Sequence, residues 1–243
     1  MTLHEFRRQK SDGREELFKK ILDTFKELDP LAIHQFGSGI FSYQDEFSDL
    51  DIWITFSDTD IDRIIKERDQ IFEKIAPIVL KHEAPKNSPL EGKYSLVIHE
   101  TPKGLFHVDY YLSRESKTVI RMDAKFLYGN DKLDRGEWLL DNEAVENKSL
   151  TEQIDAISFM AFIAVKGIIR DWKDGKFRGF VNEIYSRIEE FSGKKLTPLP
   201  QTLNFQLITT IFENIYPLAS EEQQVAIDKI RKYSQEVETL YYG

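Results

Sequence analysis

The chain contains no cysteine among its 243 residues, which excludes a disulfide framework and any thiolate metal site. It also lacks a long apolar run: the stretch from Ala156 to Val165 is broken by Lys166, well short of the ~20 residues that span a bilayer. The opening Met-Thr-Leu-His-Glu-Phe-Arg-Arg-Gln-Lys has no apolar core of signal-peptide length, so a cytoplasmic protein is expected. Positive charge is not in excess. The net charge of −9 argues against a general polyanion-binding surface and makes nucleic acid an unexpected partner. No internal repeat and no low-complexity tract is evident. What remains, 41% hydrophobic and 31% charged residues, is the composition of an ordinary globular chain with one large or two modest domains.

One stretch concentrates the chemistry. An apolar run ending at Phe36 meets Gly37-Ser38-Gly39, and about ten residues later comes Ser48-Asp49-Leu50-Asp51-Ile52-Trp53-Ile54. The strand period of two puts Asp49 and Asp51 on one face and Leu50 and Ile52 on the other. Two carboxylates so close repel unless a cation neutralises them. All-oxygen ligation suits Mg²⁺, which keeps some waters and takes phosphate oxygens as further ligands. Small residues after a strand let backbone N–H groups approach an anion, and a helix opening at Ser38 would add favourable partial charge. Gly37 and Ser38 are therefore expected to hold a triphosphate, and Asp49 and Asp51 a metal. Ser48 is open to two readings, a turn cap or a phosphate contact. Asp45 and Glu46 read as a solvated charge cluster.

These residues resemble the nucleotidyltransferase superfamily with the polymerase-beta-like fold. Its motif is a hydrophobic residue, Gly, then Gly or Ser, a gap of about ten, and acid-x-acid between apolar residues, here Phe36, Gly37, Ser38, Asp49 and Asp51. The resemblance covers roughly residues 15 to 112. It implies a third carboxylate on a later strand, for which Asp109 in Phe106-His-Val-Asp-Tyr-Tyr-Leu112 has the right alternation, as metal ligand or general base. It implies Mg²⁺ as cofactor, ATP or another NTP as co-substrate, and a cation from a helical domain reaching the β and γ phosphates; Lys166 fits that part, with Arg170 one turn on. Size and layout are most similar to lincosamide and aminoglycoside nucleotidyltransferases, which implies transfer of AMP to a hydroxyl of a small antibiotic. A protein or RNA acceptor, or a nucleotide-binding module without turnover, are the competing readings.

Taken in order, the chain predicts an α+β catalytic domain over residues 1–135 and a helical C-terminal bundle over 136–243. Leu17, Phe18, Ile21, Leu22, Phe25 and Leu28 mark a first helix over 14–28, preceded by a solvated arm with Arg7, Arg8 and Lys10. A strand enters the glycine loop, and a helix follows the acid strand from Ile61 to Ile75, capped near Ser57-Asp58. Val79 to His82 is a strand, and Tyr94 to Glu100 with Leu105 to Leu112 forms a hairpin about Thr101-Pro-Lys-Gly104. Val119 to Gly136 reads as a polar connection. Ser149 with Glu152 has the spacing of a capping box ahead of an apolar helix, and further helices follow from Phe180, Leu203 and Glu221. Among the aromatics, Tyr110, Tyr111, Trp138 and Trp172 are candidate base or substrate stackers. His34, His82 and His99 read as strand or surface residues, and His107 shares a face with Asp109.

Overall fold

The structure, a computed structural model, describes residues 1–37, 45–130, 132–141, 149–170, 176–196, 198 and 204–243. It divides into two compact units, His4–Asn147 and a second made of Met1–Leu3 with Lys148–Gly243.

The first unit is built on a six-stranded mixed sheet. Its strands are β1 (Ala32–Phe36), β2 (Leu50–Phe56), β3 (Ile78–Glu83), β4 (Lys93–Thr101), β5 (Gly104–Arg114) and β7 (Lys125–Gly129), in the order β3-β4-β5-β2-β1-β7. Two short strands, β6 (Ile120–Arg121) and β8 (Arg135–Gly136), pair with each other in parallel. β1 runs antiparallel to β2 and β7, β4 antiparallel to β3 and β5, and β2 parallel to β5. A parallel neighbour demands a crossover, and α2 (Ile61–Ile75) with β3 and β4 supplies it.

Alternation along β2 and β5 decides what each face carries. Leu50, Ile52, Ile54 and Phe56 with Phe106, Val108, Tyr110 and Leu112 point to one side. There they join Leu17, Ile21 and Phe25 of α1 (Leu3–Lys26) and Ile61, Ile64, Ile71, Phe72 and Ile75 of α2 in the main core. The opposite face holds a smaller cluster of Phe36, Trp53, Tyr94, Tyr111, Ile120 and Ala124, with Trp138 against it. Asp51 and Asp109 belong to that second face, each one strand period before Trp53 and Tyr111.

Two expectations are corrected here. The first helix starts at Leu3, so Arg7, Arg8 and Lys10 are helical, and Lys10 is only 3% exposed. Its buried stripe runs Phe6, Lys10, Gly13, Arg14, Leu17, Ile21, Phe25, a helical spacing whose first half is hidden by polar residue types. The segment Val119 to Gly136 is not only a connection, because β7 extends the sheet beside β1. An edge strand with mostly exposed side chains leaves no hydrophobic period to read.

The second unit contains, among the described residues, α3 (Leu150–Ile169), α4 (Lys176–Ser192), α5 (Gln206–Ile215) and α6 (Glu221–Tyr242). The capping box at the start of α3 is present, with Ser149 and Glu152 each satisfying the other's backbone N–H. Gln223 of α6 donates to the Thr151 carbonyl (2.9 Å) and to Asp155 (2.7 Å), and Phe162 stacks on Tyr233, which fixes α3 against α6. The chain is thus α+β, a mixed sheet with helices on one face followed by further helices. No described helix is long and apolar enough to cross a membrane.

A buried histidine ties the crossover to the sheet. His99 of β4 is fully buried, with Nδ1 2.9 Å from the Ala76 carbonyl and Nε2 2.9 Å from the Tyr110 hydroxyl. A carbonyl only accepts, so Nδ1 carries the proton and Nε2 accepts from the phenol. Burial pulls the His99 pKa from 6.5 to about 4, outweighing the backbone hydrogen bonds that oppose it. The neutral imidazole therefore stabilises the fold fully above pH 6.5. That contribution, about 3 kcal/mol, is lost as pH falls towards 4. Denaturation at pH 7 and pH 4 should show His99→Gln less stable than the wild type at pH 7, with the gap closing at pH 4.

Candidate active site

The parallel register of β2 and β5 sets Asp51 directly opposite Asp109. Asp49 lies two residues before Asp51 and so on the same side. His107 lies two before Asp109 and joins the acids: its Nε2 is 2.6 Å from Asp109 Oδ1 and its Nδ1 3.6 Å from Asp49 Oδ2. One imidazole thus touches two of the three carboxylates. Asp109 is 8% exposed. The phenols of Tyr94 and Tyr111 lie close by, and both are pushed well above their ordinary pKa, first by burial and then by the Asp109 carboxylate. They stay protonated beside Asp109.

Gly37 follows β1 directly and abuts Asp51. Its φ is +70°, and a Cβ there would fall 2.0 Å from Asp51 Oδ2. Both the backbone conformation and the approach of the carboxylate require glycine. Ser38, expected beside it at the phosphates, lies outside the described residues, as do Gly39 and Trp172.

Ser48 is held in a turn that leads into Asp49. Its hydroxyl accepts from the Asp45 N–H and donates to Asp45 Oδ1, each at 3.0 Å, while the Phe47 N–H also donates to Asp45 Oδ1 at 3.0 Å. The expectation of a solvated Asp45-Glu46 cluster is corrected: Asp45 organises this turn, and Glu46 pairs with Arg7 at 2.7 Å with its side chain only 9% exposed. Lys166 is half-buried in the last turn of α3, in the helical unit. Of the candidate stackers, Tyr110 is fully buried on the helix-covered face. Tyr111 stacks on Trp53 (5.3 Å, 4°) on the acid-bearing face, and Trp138 packs on both.

Sequence reasoning left two residues out of the site. His107 carried a legible signal, alternation with Asp109, while Arg14 carried none, since an arginine ahead of an apolar helical stripe reads as surface.

The donors fit a hard cation: three carboxylates on one face, no sulfur, and a backbone approach beside them. As the side chains stand, His107 occupies the space between Asp49 and Asp109. Among the described residues no three acid or imidazole groups converge as ligands on one point. Asp49, Asp51 and Asp109 are the residues that would hold such an ion.

No family model matches the chain, and no curated protein matches it. Solved structures similar to it include two CdnE enzymes. A STING-associated CdnE c-di-GMP synthase from Capnocytophaga granulosa has 14% identity and a TM-score of 0.29, covering 98% of this chain and 81% of that one. A CdnE cyclic dinucleotide synthase from Elizabethkingia meningoseptica, solved with GTP and Apcpp, has 10% identity and a TM-score of 0.28, covering 93% and 90%. The reading of this chain rests on its own sheet and carboxylates.

Replacing Gly37 by alanine should cost about 1 kcal/mol for the left-handed backbone and drive Asp51 out of place. Gly193, at φ +67° with open space where a Cβ would stand, is the control: Gly193→Ala meets the strain without the clash. Titration with Mn²⁺ followed by electron paramagnetic resonance should show weakened binding in Gly37→Ala and unchanged binding in Gly193→Ala.

Proposed function

We propose that the chain is a magnesium-dependent nucleotidyltransferase that moves a nucleoside monophosphate, AMP from ATP, onto a hydroxyl of a small acceptor such as an aminoglycoside or lincosamide antibiotic. The observation that carries the reading is the pairing of Asp51 with Asp109 across parallel strands, with Asp49 one period upstream and Gly37 pressed against Asp51. Three carboxylates gathered on one face beside a tight glycine turn favour a metal-bound polyphosphate over a purely structural cluster.

In this reading Asp49, Asp51 and Asp109 hold Mg²⁺, and the backbone at Gly37 and Ser38 approaches the triphosphate, with Ser48 and Lys166 as further phosphate contacts. The ions, when bound, would lower the pKa of the attacking hydroxyl and neutralise charge as it builds on the leaving group. The acceptor oxygen forms a bond to the α-phosphorus, the bond to the bridging oxygen of the β-phosphate breaks, and pyrophosphate leaves with its electron pair. Asp109 takes the hydroxyl proton. Tyr94 and Tyr111, kept protonated, orient Asp109 without competing for that proton. The acidic overall charge suits a cationic acceptor better than a polyanionic one.

Incubation with Mg²⁺ and labelled ATP or GTP, alone and with panels of antibiotics, RNA and proteins, identifies the acceptor. An adenylylated antibiotic is the expected product. A nucleotide-only product or a modified polymer would replace the small acceptor by another, and binding without product would make the chain a nucleotide-binding module without turnover. Asp49→Asn and Asp51→Asn, made singly, should fold normally and lose transfer by on the order of a thousandfold, about 4 kcal/mol of barrier. Turnover retained in both would remove the proposal.

A further inference from the structure

The N-terminal half of α1 touches two separate segments, each of which leads into a carboxylate. On one side lies the turn before Asp49. Arg7 Nε pairs with Glu46 at 2.7 Å, the Phe6 ring sits 6.3 Å from that of Phe47, and Arg14 Nη1 donates to the Asp45 carbonyl at 2.6 Å. On the other side lies the start of β5, two residues before His107 and four before Asp109. Lys10 Nζ donates to the Leu105 carbonyl and stands 3.9 Å over the Phe106 ring. Gly13 packs so closely on Phe106 that an added Cβ would come within 2.5 Å of it. Positions 6, 7, 10, 13 and 14 recur every three or four residues, so one stripe of the helix grips both segments.

We propose that this stripe is a clamp that fixes the separation of Asp49 from Asp109, and that Arg14 is its positioning residue. The inference rests on the nucleotidyltransferase reading, because only a shared ligand set makes that separation matter. Arg14 is 7% exposed and donates to a main-chain oxygen, so its bond fixes the path of the chain. A charge-assisted bond to a buried carbonyl is stronger than a neutral one. Burial draws the Arg14 pKa down, and Asp45, Glu15, Asp49 and Glu46 draw it back up. The acids around the turn thus keep the guanidinium charged where it stands. With Asp45 pinned by Arg14 and closed onto Ser48 and Phe47 by its own carboxylate, Asp49 leaves the turn in one direction. Lys10 and Gly13 hold β5 at the matching height.

The test uses the full chain, Mn²⁺ as probe and MgATP as substrate. Groups that orient ligands from behind cost roughly 10- to 100-fold in metal affinity when removed. Arg14→Gln should therefore weaken Mn²⁺ by about tenfold or more and lower kcat with a smaller change in KM for MgATP. Arg14→Lys, which keeps one charged donor, should recover most of both. An Arg14→Gln protein that melts like the wild type and keeps its Mn²⁺ affinity overturns the clamp. Should Arg14→Gln not fold, Arg7→Gln, at a half-exposed position, is expected to weaken Mn²⁺ several-fold by the same route; unchanged affinity there overturns the clamp equally. Turnover lost in Asp49→Asn yet unchanged in Arg14→Gln removes the clamp alone. Turnover unchanged in both removes the function reading beneath it.

Discussion

Everything in the acid-bearing face follows from β2 and β5 lying side by side in parallel. A non-adjacent arrangement would put Asp109 at least one strand away from Asp51. In register, the two carboxylates share one short span of sheet. The apolar residues that alternate with them along the two strands fasten that register from the opposite face: Ile52 and Tyr110 are fully buried, as are Ile54 and Val108. A slip of one residue would turn the acids into the core and the isoleucines outward. The hydrophobic core therefore enforces the geometry of the polar site. Neither strand can adjust the acids independently.

That enforcement carries an electrostatic cost. Carboxylates brought together raise each other's energy, and the surroundings of these are arranged to offset it. His107 touches Asp49 and Asp109, and the Tyr94 and Tyr111 phenols stand protonated at Asp109. Arg14 lies close enough for Asp49 to act on its charge. None of these groups is a surface residue that drifted near. Tyr94, Tyr111 and Arg14 are each under 10% exposed. Burying a hydrogen-bonding group without a partner costs a few kcal/mol, so such a set persists only where its members satisfy one another.

Much of this was legible before the fold was known, for a specific reason. Asp49, Asp51 and Asp109 stand in short runs where apolar residues alternate with the acids, and strand periodicity is a signal that survives without tertiary information. The Ser149 capping box and the Thr101-Pro-Lys-Gly104 hairpin are local in the same sense. What stayed hidden depends on partners far away in sequence. Lys10, Gly13 and Arg14 are buried because β5 and the Asp45 turn cover them, and nothing in residues 3 to 14 announces that. β7 was hidden for the converse reason, being held by backbone pairing with β1 while three of its five residues are exposed. Ser38 lies outside the described residues, and Lys166 rests on the resemblance alone.

The two ends of the carboxylate set are not equivalent, because the fold holds them by different means. Asp109 lies within β5, has the His107 imidazole at 2.6 Å, and is backed by a strand paired along both edges. Asp49 precedes β2, with its side chain 21% exposed, at the end of a turn rather than inside a ladder. Displacing His107 from Asp109 breaks a 2.6 Å contact; displacing it from Asp49 gives up one of 3.6 Å. The imidazole therefore sits nearer to Asp109 than to Asp49. Asp51, abutting Gly37, and Asp109 are held by the register of the sheet, whereas Asp49 is placed by the turn that Asp45 closes onto Ser48 and Phe47.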